Sequence, residues 1–177
     1  KNNFSKRQHI SFEAHSTDYQ SILSLKKLVK NNFKFLKVGP ELTYNYLKAI
    51  LIMEKLEKKY YKKNYSSIKK ILLSEMNKNK PLWNKYYKKN INFLKLNRLL
   101  DRARYFWNKN KVVKAKKTLI KNINNIDTEV LLKKFEINDK KLLSKYLLKF
   151  SNFDIIKFFF LFETLKKYYL ACGFKRV

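Results

Sequence analysis

Ile22-Leu23-Ser24-Leu25-Lys26-Lys27-Leu28-Val29-Lys30-Asn31-Asn32-Phe33-Lys34-Phe35-Leu36-Lys37-Val38-Gly39-Pro40-Glu41 is the stretch on which the fold class turns. Ile22, Leu25, Leu28, Val29, Phe33 and Leu36 recur three and four apart, a spacing that aligns side chains on one helical face. Gly39-Pro40-Glu41 then reads as a stop and a restart. Glycine ends one helix, proline suits the first position of the next, and Glu41 favours the positive end of its dipole. Upstream, Thr17-Asp18-Tyr19-Gln20 has the form of a capping box.

The same period runs on. Leu42, Tyr46, Ala49, Ile50, Met53 and Leu56 mark a second helix, and Ser66-Ser67 stands where a cap would open a third over Ile68, Ile71, Leu72 and Met76. Pro81 opens a long fourth helix through Leu94 and Leu99 towards Trp107, and Val112, Leu119 and Ile123 mark a fifth. Asp127 starts a short sixth, Asn138-Asp139 a seventh, and Ser151-Asn152 caps the last. That last helix is apolar nearly all round from Phe153 to Phe162, the profile of a helix in the middle of a bundle.

Two glycines and two prolines are too few for a turn-rich β fold. The expected fold is therefore mainly α, an irregular bundle or array of about seven to eight amphipathic helices with strands absent or marginal. Residues 1–16 read as an extended basic arm, and 17–177 as a single helical domain whose 54–122 portion is strongly basic. Lys at position 1 is what a processed start would leave. Phe35–Pro40 and Leu147–Asn152 echo each other as helix junctions, which is the one hint of a helical repeat.

Composition narrows the chemistry. The 177 residues carry 42 Lys plus Arg against 13 Asp plus Glu, a formal charge of +29. The single cysteine, Cys172, forms no intrachain disulfide and reads as a small buried apolar residue. One Cys with two distant histidines, His9 and His15, does not make the usual zinc set. No clustered glycines cradle a phosphate, and Phe158–Phe162 is far too short to span a bilayer. These absences predict no cofactor, no metal, no transmembrane segment, no small-molecule substrate and no catalytic residue.

The charge is concentrated. Residues 54–122 hold 22 Lys plus Arg and 4 acids, the linear footprint expected of a polyanion contact. Lys88, Lys95, Arg98, Arg102 and Lys109 fall on one side of the fourth helix, with Arg104 beside them and Asp101 placed to orient the arginines. Lys111, Lys114, Lys117 and Lys121 line the exposed side of the fifth, and Lys58, Lys59, Lys62 and Lys63 end the second. These fourteen cations are the candidate nucleic-acid-binding residues. They point to a non-enzymatic structural RNA-binding protein of a ribonucleoprotein. A mitochondrial (matrix) ribosome fits the AT-biased alphabet, with ribosomal RNA and neighbouring ribosomal proteins as partners. The alternatives are a free-standing helical-repeat RNA-binding factor, a nucleic-acid-binding module of a polymerase or maturase, and a basic peripheral membrane subunit.

Overall fold

The computed structural model describes residues 10–86, 96, 101–135, 137 and 149–174. Among them are two short strands and six α-helices: β1 (Phe12–Ala14), α1 (Ile22–Lys30), β2 (Phe33–Leu36), α2 (Pro40–Tyr61), α3 (Ile68–Lys78), α4 (Asn110–Asn124), α5 (Thr128–Lys134) and α6 (Asn152–Ala171). The chain is mainly α, as the periodicity predicts. The expected seventh helix over 138–148 lies outside the described residues, as do residues 1–9 of the basic arm.

The strands are the main departure. Phe33 and Leu36 do not continue α1. Asn31 caps that helix through its own N–H to Leu28 and Lys27 carbonyls, and Asn32 turns left-handed at φ 66°. Asparagine tolerates that conformation better than most residues. Phe33-Lys34-Phe35-Leu36 then extends, and its alternating aromatics suit a strand as well as they suit a helical face. β2 pairs with β1 in parallel, with Glu13 opposite Phe35 and Ala14 opposite Leu36. The order β1–α1–β2 is a crossover unit, and its pairing spans the boundary drawn between residues 16 and 17.

Alternation splits the pair into two faces. Leu36 packs with Leu25 and Leu28 of α1 and with Tyr168 and Ala171 of α6 in one small core. Glu13, His15, Phe35 and Lys37 belong to the opposite face and are exposed or partly so.

Helix starts are capped from a distance. α1 begins at Ser21, whose hydroxyl accepts from Ser24 N, so the expected box at Thr17–Gln20 does not form. Asp18 serves the next helix instead. Gly39, the N-cap of α2, has no side chain, and Asp18 Oδ1 accepts from Gly39 N at 2.9 Å and Glu41 N at 2.8 Å. Ser67 likewise caps nothing with its side chain; Glu54 Oε1 of α2 accepts from Lys69 N at 3.0 Å in the first turn of α3. Asp18→Ala should lower stability by about 1–2 kcal/mol in a thermal melt, the usual loss of a good cap. Asp18→Asn should recover most of it, and a melt unchanged by Asp18→Ala would remove this role.

α2 is the hub. Ala49, Ile50, Met53 and Leu56 meet Ile68 of α3, Leu119 and Ile123 of α4, and Phe153 and Ile156 of α6 in the largest core. Leu47 meets Leu72, Met76, Trp83, Phe106 and Val112 in a second one.

Three expectations fail here. The long fourth helix is not continuous to Trp107: 3₁₀ turns occupy 80–82, 84–86 and 102–106, and Asp101 is left-handed at φ 36°. α6 is not central, because Phe158 and Leu165 are each 47% exposed and only one side of the helix is buried. Cys172 is exposed just past the end of that helix rather than buried.

Candidate functional site

The loops after β1 and β2 emerge at the same end, because the strands are parallel. Carboxyl ends of parallel strands are where ligands bind in αβ sheets, since the departing loops leave a crevice there. Here that end is held firmly. Thr17 N and Thr17 Oγ1 both donate to Lys37 O, at 3.1 and 2.9 Å, tying one loop to the other. Tyr168 of α6 donates its hydroxyl to Thr17 O at 2.8 Å. Glu41 accepts from Tyr19 N at 2.6 Å and from Lys167 Nζ at 2.5 and 2.7 Å, in an ion pair with both side chains largely buried. Ser16 and Tyr19 take left-handed φ of 55° and 61°, giving the first loop its bend. Burial, then Glu41, Asp18 and Asp101, push the Tyr19 phenol well up, so it stays protonated.

Beside this braced base lie three ionisable side chains on the strand face opposite α1 and α6, all exposed. Glu13 Oε1 is 2.6 Å from Lys37 Nζ and 2.6 Å from His15 Nε2. The Lys37 hydrogen bond, together with the charges of Lys37 and His15, holds the Glu13 carboxyl below its usual range. Glu13 is thus ionised at neutral pH, and the bridge to Lys37 is lost only as pH falls through that lowered value. A carboxylate, an ammonium and an imidazole therefore share one exposed cluster. The ammonium offers a cation to an anionic oxygen, and an imidazole is a side chain that can take up or give a proton in a reaction. In the sequence His15 falls within the extended basic arm, and none of the three stands out as a site residue. The available signal was the alternation Phe33-Lys34-Phe35-Leu36-Lys37 running into Gly39-Pro40.

The cations chosen from the sequence lie elsewhere. Lys88, Lys95 and Arg98 are outside the described residues. Lys111, Lys114, Lys117 and Lys121 are exposed on α4, opposite buried Val112, Leu119 and Ile123, as the period predicts. Lys58 and Lys59 end α2, and Lys62 and Lys63 follow it, all exposed; Tyr61 and Asn64 bond Asn122, which joins this end to that of α4 beside Lys121. Lys109 is the N-cap residue of α4 and is half-buried. Arg102 stacks on the Tyr86 ring at 3.4 Å, and Arg104 donates to the Tyr105 hydroxyl at 2.9 Å.

Asp101 does not orient these arginines through its carboxylate. Arg104 donates to the Asp101 backbone oxygen at 3.3 Å, while both carboxylate oxygens are buried and no well-aligned hydrogen bond from the described residues reaches them, the nearby Thr43 hydroxyl donating to Pro40 O. Burial raises its pKa, opposed by the Thr43 hydroxyl and the Arg104 charge. A raised folded-state pKa means that ionisation costs stability once pH exceeds the unfolded value. Asp101→Asn should therefore stabilise the chain at pH 7 by on the order of 1 kcal/mol. The gain should vanish as pH falls to the ordinary carboxylate range, and a melt insensitive to pH in this comparison would contradict it.

Among the described residues no group of three or more His, Cys, Asp or Glu is placed to hold a metal ion. No described helix is long and apolar enough to cross a membrane.

Comparison with known proteins bears on the same region. A profile described as D-tagatose-1,6-bisphosphate aldolase subunit GatZ/KbaZ-like matches residues 1–173. The chain is 32% identical over 135 residues to the D-tagatose-1,6-bisphosphate aldolase subunit GatZ of Escherichia coli O6:H1, covering 71% of this chain and 32% of that protein. The GatZ subunit of Salmonella dublin is 32% identical over 133 residues, covering 70% and 30%. The chain thus spans about a third of the length of these relatives. A crystal structure of a probable tagatose 6 phosphate kinase from Sinorhizobium meliloti 1021 superposes with a TM-score of 0.75 at 24% identity, over 92% of this chain and 43% of that one. That likeness carries the fold.

These matches overturn the ribosomal reading. The relatives are bacterial aldolase subunits, so a non-enzymatic RNA clamp, ribosomal RNA and protein partners and a mitochondrial matrix location all fall. The expectation of no small-molecule substrate falls with them, since the relatives are named for a sugar bisphosphate. Charge misled because composition counts cations wherever they sit, whereas family membership lies in the order of residues. The chain belongs to the GatZ/KbaZ-like family of D-tagatose-1,6-bisphosphate aldolase subunits.

Proposed function

We propose that this chain supplies the strand-end, substrate-facing part of a D-tagatose-1,6-bisphosphate aldolase subunit. The observation that carries the reading is the Glu13–Lys37–His15 cluster at the carboxyl ends of two parallel strands. Parallel sheets are normally covered on both faces. Among the described residues α1 and α6 cover one face, and Glu13, His15 and Lys37 on the other are exposed. In our reading that face lines the crevice of a larger parallel sheet, with the helices as an irregular outer array.

The chemistry suits an aldol cleavage. A substrate hydroxyl gives its proton to the His15 imidazole as the adjoining carbon–carbon bond breaks. The electron pair of that bond moves toward the carbonyl, and the negative charge gathered on its oxygen faces the Lys37 ammonium. Glu13 holds both groups at 2.6 Å. Fixed charges aimed at a developing anion are usually the largest contribution to catalysis. The relatives are named as a subunit, so the activity is read in the assembled enzyme together with its other chains.

Calorimetric titration of the assembled enzyme with D-tagatose 1,6-bisphosphate tests the reading. Glu13→Gln combined with Lys37→Ala should weaken binding by about tenfold or more, on the order of 1.4 kcal/mol. Unchanged affinity in that double variant would overturn it.

A further inference from the structure

A second concave surface lies away from the strand ends. The groove between α2 and α3 has a volume of about 960 Å³ and a floor that includes Leu51, Ile52 and Leu73. Lys48, Lys55 and Lys58 stand along α2, and Lys69 and Lys70 stand on α3. All five are exposed, and none lies within ion-pairing distance of a carboxylate of the described residues. From Lys48 to Lys58 the rim runs about 15 Å at the rise of an α-helix.

The carboxylates explain this imbalance. Glu54, Glu57, Glu75 and Asp101 are the 4 acids of residues 54–122, and all are buried. Glu54 reaches the groove, but its Oε1 accepts from Lys69 N and burial raises its pKa. The acids have been drawn into helix starts and the interior, which leaves the cations outside. Lys48 and Lys58 lie over the Tyr44 and Tyr65 rings, 4.7 and 5.5 Å from their centroids, and are thereby held at the rim.

We propose that this groove docks a short acidic amphipathic segment of a partner protein chain, its carboxylates on the lysine rim and its apolar side chains on the floor. A bare polyanion satisfies the rim but leaves Leu51, Ile52 and Leu73 in water. An amphipathic helix or strand satisfies both, which is the usual logic of a segment laid in a groove. Charge complementarity sets the sign of the partner. The inference stands on this groove alone and is independent of the aldolase reading.

The test uses fluorescence anisotropy with three labelled probes: a Glu/Leu peptide with leucines at helical spacing, a scramble of the same composition, and polyglutamate. The patterned peptide should bind about tenfold tighter than either control. Lys48→Glu, Lys55→Glu and Lys58→Glu together should abolish that preference. The same charge change at Lys114, Lys117 and Lys121 on α4 should leave the preference intact. Leu73→Gln, which alters the floor without altering charge, should weaken the patterned peptide alone, with circular dichroism checking that each variant folds. Equal binding of scramble and pattern, equal loss in the two triple variants, or indifference to Leu73→Gln would overturn the proposal.

Discussion

Glu57→Ala should cost the chain about 3–4 kcal/mol, the largest stability loss expected of any single polar residue here. Glu57 is fully buried in α2, where Oε1 accepts from Ser66 N at 2.8 Å and Asn122 Nδ2 at 2.6 Å, and Oε2 accepts from Ser66 Oγ at 2.5 Å. One carboxylate thereby fastens the approach to α3 and the end of α4 to the central helix. Truncation leaves Ser66 N and Ser66 Oγ buried without their acceptor and Asn122 Nδ2 with Asn64 O alone. Native domains are stable by only about 5–15 kcal/mol, so the loss is a large share of the total. Urea unfolding should show the midpoint moving down by about 1.5–3 M at an ordinary slope. Glu57→Gln, which keeps one acceptor oxygen, should fall between. A midpoint shift under about 0.5 M would mean that the helices do not depend on this network.

Lys37→Ala should have the largest effect on activity. If the ammonium faces the oxygen that gains charge as the carbon–carbon bond breaks, its loss should lower kcat by about 10²–10³. KM should rise by no more than about tenfold, because the interaction is present in the ground state but strengthens in the transition state. Glu13→Gln should act in the same direction but more weakly, since Lys37 remains in place without its 2.6 Å partner. Lys114→Ala, on the exposed side of α4, should leave both constants as they are. A rise in KM with unchanged kcat on Lys37→Ala would confine Lys37 to uniform binding.

Much of the helical architecture is legible in the sequence. The start at Pro40 and the cap at Ser151 are local, and each is found where its chemistry places it, whereas the helix stop read at Gly39 falls instead at Lys30. What escapes is set at long range. Phe33 and Leu36 satisfy a helical period as well as a strand, and the choice is made by Asn32 and by pairing with Phe12–Ala14 twenty residues away. Thr17–Gln20 look like a capping box for the helix that follows, yet Asp18 within them caps a later helix. The site escapes for the same reason, because Glu13, His15 and Lys37 come together only when the strands do. The basic composition pointed to RNA because it does not reveal that Glu54, Glu57, Glu75 and Asp101 are interior. Most of their carboxylate surface is withdrawn from a partner, although Glu54 still reaches the groove and Glu75 pairs with exposed Lys78.

The role of the strand ends can be read at His15 itself. Carbon-13 labelled histidine gives resolved ring signals, and His15→Gln assigns the one that matters. D-tagatose 1,6-bisphosphate added to the assembled enzyme should shift the His15 ring signal, saturating with the same midpoint as calorimetric binding. Lys37→Ala should raise the midpoint of both curves together. If the bisphosphate binds while the His15 signal stays fixed, the substrate lies elsewhere and the strand-end cluster is not its site.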